Sequence, residues 1–141
     1  MPPKRLLFVC WGNTCRSPMA AAIAKKVIGK RAEVESAGIS VRAVGAAGPA
    51  IKVMESEFGL DISGHVPRGV SGIGLDDFDY IIAMDSYVAD YLIKRYNVPK
   101  EKLILWQIED PYLQGIDVYR RCAYEIYSHI KTLIKKLTVA K

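Results

Sequence analysis

Residues 6 to 18, Leu6-Leu7-Phe8-Val9-Cys10-Trp11-Gly12-Asn13-Thr14-Cys15-Arg16-Ser17-Pro18, decide the fold. The first four are wholly apolar, the pattern of a short strand buried on both faces of a parallel sheet. That strand delivers Cys10 at its C-terminal end. Beyond Arg16, Ser17-Pro18 marks the start of a helix over residues 18 to 28, because a Ser oxygen can cap free N–H groups and Pro's fixed φ suits the first turn. Met19, Ile23 and Val27 recur at intervals of four along it, and Gly29 stands where it would stop. Between strand and helix, five residues separate Cys10 from Arg16, and a loop that short can wrap its amides around one tetrahedral anion. The helix N-terminus points at the same spot. Arg16 adds a planar fork that matches two phosphate oxygens, and both positive charges favour a Cys10 thiolate. The stretch reads as a phosphate pocket with its own nucleophile.

Outward from this unit the chain alternates strands and helices. Strands are predicted at residues 33 to 37, 80 to 84 and 103 to 106. A helix over 49 to 58 ends at Gly59, and one capped by Asp85 ends at Asn97 and Pro99. Asp117 is predicted to cap a last helix whose apolar stripe is Cys122, Ile126, Ile130, Leu133 and Leu137. Residues 60 to 77, with Gly64, Pro67, Gly69, Gly72 and Gly74, read mainly as loop. The expectation is an α/β fold: one domain over residues 1 to 141, three layers in the order α/β/α, with a central four-stranded parallel sheet and the phosphate loop after strand one. Ligands of such sheets bind outside the carboxyl ends of the strands, where the Cys10 to Arg16 loop must lie.

Composition narrows the function classes. The 141 residues suffice for one core without metal or disulfide staples, and 50% hydrophobic with 25% charged residues is ordinary for a globular protein. The apolar run behind the basic start is too short for a signal peptide, and nothing reads as a membrane span, so a cytoplasmic protein without a membrane partner is expected. Much of the net charge of +5 falls on Lys131, Lys135, Lys136 and Lys141 of the last helix. No basic face interleaved with aromatics points to nucleic acid. Three cysteines in such a chain point to chemistry rather than a disulfide scaffold. Cys10 and Cys15 cannot present two thiolates to one metal across a tight loop, and His65 and His129 lack ligand spacing, so no metal is expected. Gly69-x-x-Gly72-x-Gly74 is no dinucleotide fingerprint, and no cofactor is expected.

A thiolate attacking phosphorus needs an acid for the leaving oxygen. Asp110 is the candidate, since it follows strand four at the carboxyl edge of the sheet. Pro111 stiffens its backbone, and Tyr112 could wall a ring substrate.

The block from Cys10 to Pro18, together with Asp110-Pro111-Tyr112, resembles the low-molecular-weight protein tyrosine phosphatases over nearly the whole chain. The resemblance implies a phosphomonoesterase acting on phosphotyrosine in proteins through a cysteinyl-phosphate. Cys10 would be the nucleophile, Arg16 the phosphate clamp, and Asp110 the general acid and later the base that activates water. Trp11, Gly12, Asn13, Thr14, Cys15, Ser17 and Tyr112 would complete the substrate and phosphate site. Within it Asn13 holds the loop open to anions and Ser17 hydrogen-bonds the thiolate. Cys15 matches a second loop cysteine able to form a disulfide with the nucleophile, and His65 a histidine that fixes the loop from behind. Asp85 matches a Met-Asp pair after strand three, which helix capping accounts for. The implied partners are a phosphorylated protein, with inorganic phosphate or other oxyanions as product or inhibitor.

Some positions depart from the pattern. Thr14 replaces the apolar residue of most tyrosine-specific members. With Asp110-Pro111-Tyr112 and the segment from Gly115 to Tyr119, it resembles the protein-arginine phosphatases of the same superfamily. The usual aromatic gate has no counterpart in residues 39 to 47, and Trp11 and Tyr112 are expected to supply the walls. Cys122 reads as core, and Tyr112 and Tyr119 are candidate phosphorylation sites. Two other classes share the loop. Thioredoxin-coupled arsenate reductases need two further cysteines after strand three, and residues 81 to 105 hold none. A non-catalytic phosphate-binding module would keep Arg16 and the amides without needing Asp110.

Overall fold

Runs of apolar residues that can pack on both faces of a pleated sheet, together with one strand that carries Glu33 and Glu35, form four strands in the computed structural model, which describes residues 2–139: β1 (Lys4–Cys10), β2 (Ala32–Gly38), β3 (Tyr80–Ala83) and β4 (Leu103–Leu105). All neighbours are parallel and the order is β2-β1-β3-β4. Along β1 and β2 the register runs from Lys4 opposite Ala32 to Cys10 opposite Gly38. The helices are α1 (Arg16–Ile28), α2 (Gly48–Phe58), α3 (Ser86–Tyr96) and α4 (Ile116–Val139).

Alternation along β1 sorts its side chains between two cores. Leu6 and Phe8 pack with Met19 and Ile23 of α1, Met54 of α2, and Ile126 and Ile130 of α4. Leu7 and Val9 face the other way, against Val88 and Leu92 of α3. These four residues of the seven in β1 are 0% exposed, and each such aliphatic or aromatic side chain contributes about 1.5–3 kcal/mol on burial. The sheet is thus the middle of three layers. On α4 the predicted stripe faces inward: Cys122, Ile126, Ile130 and Leu133 are buried, and Leu137 packs against them. Lys141 lies outside the described residues.

Element order is as predicted, and strand and helix ends shift by a few residues. Helix α1 begins at Arg16 rather than after it, and the N-cap position is Cys15, with no side-chain cap. Ser17 is therefore not the cap; it sits inside the first turn because its hydroxyl is engaged by the loop. Asp117 likewise lies within the first turn of α4, where its carboxylate accepts from Arg120 at 2.5 Å. Residues 60 to 77 contain two short 3-10 turns, Val70–Gly72 and Leu75–Asp77. Strand β4 stops at Leu105, yet Trp106 and Ile108 keep following β3 by donating to Ala83 and Met84 carbonyls at 2.9 Å each. Elsewhere the punctuation is as predicted: Asp85 caps α3 by accepting from the Val88 amide at 2.9 Å. Gly59 and Asn97 end their helices in the left-handed region.

The strand order places the site. From β1 the chain turns to β2 on one side, whereas β3 lies on the other, so the loops leaving β1 and β3 diverge at the carboxyl edge and open a crevice. No helix among the described residues is long and apolar enough to cross a membrane.

Candidate active site

The loop after β1 is held open from outside. Its carbonyls point away from the pocket: Cys10 O accepts from the Ile39 amide at 3.1 Å, Trp11 O from Ser40 at 2.8 Å, and Thr14 O from Ala47 at 2.9 Å. Asn13 O takes a bond from His65 Nε2 at 2.8 Å. With the carbonyls tied back, the amides of Gly12, Thr14 and Cys15 are left without protein acceptors among the described residues. Successive amides of this kind, followed by a helix N-terminus, make an anion-binding concavity. Asn13 adopts φ 58, a left-handed conformation that its short side chain tolerates. That side chain is saturated: Nδ2 donates to Ser17 Oγ at 2.8 Å and Ser36 Oγ at 3.0 Å, and Oδ1 accepts from the Arg68 amide at 3.0 Å. Gly38 lets the loop lie against β2, since a Cβ there would meet Trp11 O at 2.8 Å and Asn13 N at 2.9 Å.

Cys10 ends β1 at the floor of this concavity. Its Sγ is 2.9 Å from Ser17 Oγ and accepts from the Asn13 amide at 3.3 Å. Arg16, 2% exposed, reaches the same floor. Its Nη1 donates to Asp85 Oδ2 at 2.8 Å and to the Ile108 carbonyl at 2.9 Å, while Nη2 lies 3.6 Å from Asp110 Oδ2. Burial works against the guanidinium's charge, but the Asp85 bond and the neighbouring Cys10 and Asp110 outweigh it and raise its pKa. Asp85 therefore both caps α3 and clamps Arg16, and capping accounts for only half of it. Asp110 remains half exposed, and its Oδ1 accepts from the Tyr112 amide at 3.1 Å in an Asx turn.

The cavity over Cys10 is about 330 Å³, within the size range of small-molecule sites. Its lining brings together Cys10, Trp11, Gly12, Thr14, Cys15, Arg16, Asp110 and Tyr112. Asn13 and Ser17 stand behind the lining, each 0% exposed. Trp11 and Tyr112 form its exposed aromatic sides, and the Trp11 ring leans on Tyr87, centroids 5.3 Å apart. Ser40, Arg42 and Ala43 also line the cavity, and sequence reasoning missed them, as it missed Ser36, Gly38 and Tyr87. The one available signal was Gly38, at the carboxyl end of a strand that pairs with β1. No group of three or more His, Cys, Asp or Glu that could hold a metal ion occurs among the described residues.

Beneath the loop, Cys15 Sγ lies 3.4 Å from the hydroxyl of Tyr119 on α4 and 3.5 Å from Thr14 Oγ1. All three cysteines are unpaired and buried. Burial pushes the Cys15 thiol up, against the lowering effect of its bonds to Tyr119 and Thr14. Burial also pushes Cys122 up to about 12. Tyr119 is 2% exposed and directed into the core, so its phosphorylation is ruled out by packing, whereas Tyr112 is 59% exposed.

The model of the family described as low molecular weight phosphotyrosine protein phosphatase matches residues 5–141. The chain is 33% identical to a protein-arginine-phosphatase of Geobacillus stearothermophilus, covering 96% of this chain and 97% of that protein. It is 32% identical to a glutaredoxin arsenate reductase of Synechocystis sp., covering 96% and 99%. The solved low molecular weight protein tyrosine phosphatase of T. tengcongensis superposes with a TM-score of 0.87 at 34% identity, over 94% of this chain and 99% of that one. A family-model match over residues 5–141, with relatives of 30% identity or more covering nearly the whole chain, makes it a member of the low molecular weight phosphotyrosine protein phosphatase family.

Proposed function

We propose that the chain hydrolyses phosphotyrosine in proteins through a covalent cysteinyl-phosphate. The observation that carries the reading is the convergence of Cys10 Sγ, a half-exposed Asp110 and the buried Arg16 fork in one concavity of unpaired amides. The phosphoryl oxygens are held by the loop amides and by the N–H groups of Arg16 left over from Asp85 and Ile108. Cys10 Sγ attacks phosphorus, the S–P bond forms, and the P–O bond to the ring breaks as Asp110, in its acid form, gives its proton to the tyrosine oxygen. Asp110 then takes a proton from water, whose oxygen attacks phosphorus. The S–P bond breaks, and inorganic phosphate and the Cys10 thiolate are released. Ser17 Oγ, 2.9 Å from Sγ, stabilises that thiolate as it leaves.

Trp11 and Tyr112 as aromatic sides favour an aryl group. The charges agree: Asp110 is the one carboxylate in the lining, against Arg16 and Arg42, so a substrate guanidinium would meet two cations. A protein-arginine phosphatase is the second reading, favoured by Thr14 in the lining and by the Geobacillus relative. Arsenate reduction is less favoured, because residues 81 to 105 hold no cysteine and Cys122 is 3% exposed. Rates on matched phosphotyrosine and phosphoarginine peptides, measured with chelator present, separate these readings. The expected result is kcat/KM at least about tenfold higher for phosphotyrosine, a difference of about 1.4 kcal/mol, and no activity in Cys10→Ser. The reverse preference replaces tyrosine by arginine as the substrate, and full activity in Cys10→Ser removes the covalent mechanism.

A further inference from the structure

The chain has eight arginines, and seven of them are engaged within it. Ion pairs hold Arg5, Arg16, Arg68, Arg120 and Arg121, a backbone carbonyl holds Arg31, and the ring of Tyr91 lies under Arg95. Arg42 alone has no carboxylate, carbonyl or ring partner among the described residues. It is also the one exposed arginine that lines the cavity over Cys10.

Its position is built rather than incidental. Arg42 lies between β2 and α2, and that segment is tied to the phosphate loop on both sides of it, by Ser40 N to Trp11 O at 2.8 Å and Ala47 N to Thr14 O at 2.9 Å. These bonds hold the backbone of Arg42 at the rim whenever the loop is formed. The charge it brings is uncompensated there, since Asp110, the one lining carboxylate, is already 3.6 Å from Arg16. An arginine fork offers parallel N–H groups matched to a carboxylate. Arg42 and Cys10 line the same cavity, so residues flanking a phosphorylated side chain held on Cys10 would come within reach of this rim.

We propose that Arg42 is a specificity-determining residue that selects phosphopeptides carrying a carboxylate next to the phosphorylated side chain. The proposal rests on the phosphotyrosine reading above. Such a contact at an exposed rim is worth a few-fold in kcat/KM and is screened by salt.

The test uses phosphotyrosine peptides that differ only in an Asp, Ala or Lys beside the phosphotyrosine, with para-nitrophenyl phosphate as a substrate that has no flanking residue. Each variant's peptide rates are divided by its own rate on the small phosphate, so that effects on the phosphoryl site cancel. For the wild type at low salt, the Asp peptide should exceed the Lys peptide about threefold to tenfold. Arg42→Lys should keep most of that ratio, Arg42→Ala should bring it near one, and Arg42→Glu should invert it. A ratio unaltered across all variants overturns the proposal, as does a wild type without preference. An equal loss on every substrate in Arg42→Ala also overturns it, because Arg42 then serves the phosphoryl group itself. If the wild type does not hydrolyse the small aryl phosphate, the tyrosine reading falls together with this one; if it does and the ratio is flat, this one falls alone.

Discussion

Asp85 does two jobs with its two oxygens. Oδ1 closes the first turn of α3, and Oδ2 holds Arg16 at 2.8 Å. Without it, a guanidinium that is 2% exposed would keep only the Ile108 carbonyl and the looser 3.6 Å contact with Asp110, and would be free to swing off the phosphoryl position. The two jobs separate in Asp85→Asn, because Asn caps as well as Asp while the ionic half of the bond is lost. Hydrogen bonds to charged groups are worth about 1.5–3 kcal/mol. We therefore expect kcat/KM on an aryl phosphate to fall at least roughly tenfold, with the melting temperature nearly unchanged; steady-state kinetics beside a thermal melt checks both. Ser17 makes the complementary point. The residue type suits a helix start, but its hydroxyl is taken by Cys10, Asn13 and the Ala37 carbonyl, so the cap is left empty and the free amides turn to the pocket.

At the scale of elements, α4 joins the core to the underside of the phosphate loop. Tyr119 and Cys122 lie about one turn apart on its buried face, Tyr119 against Cys15 and Cys122 in the same core. Folding raises the Cys122 thiol from 9.0 to about 12 by burial, and raises Tyr119 for the same reason. A group held protonated by the fold stabilises it below the unfolded value and loses that contribution as pH rises towards the folded one. Stability should accordingly decline between about pH 9 and 12, with Cys122 supplying up to about 1.4 kcal/mol per pH unit of the slope. Urea unfolding at pH 8 to 11 on the wild type and Cys122→Ala tests this through the slope, which should flatten in the variant whatever its absolute stability. Helix α4 was easy to read from its stripe, since period and burial agree over four turns. Its first turn was not, because Asp117 fits a cap and an i, i+3 partner of Arg120 equally well from sequence.

For the whole molecule, the strand order β2-β1-β3-β4 brings the Cys10 loop, Asp85 and Asp110 to one edge from positions up to a hundred residues apart. The net charge of +5 favours encounter with phosphorylated substrates. The kcat/KM for phosphopeptides should fall as ionic strength rises from about 0.02 to 0.5 M, mainly through KM, since the Debye length drops from roughly 20 Å to under 5 Å over that range. A salt-independent kcat/KM would show that the net charge has no part in encounter.

The sequence by itself determined the order of strands and helices, the parallel sheet, and the loop from Cys10 to Arg16, because these depend on local periodicity and on groups close together in the chain. It also singled out Asp110 and Tyr112, which stand at the end of a readable strand. Only the tertiary structure decided that Asp85 braces Arg16, that Ser36 and Gly38 shape the loop from behind, and that Arg42 stands unpaired at the rim. Those contacts join residues 23 to 69 positions apart, or depend on where a Cβ would fall against another strand's backbone. No local pattern encodes such distances; packing the helices on the sheet sets them.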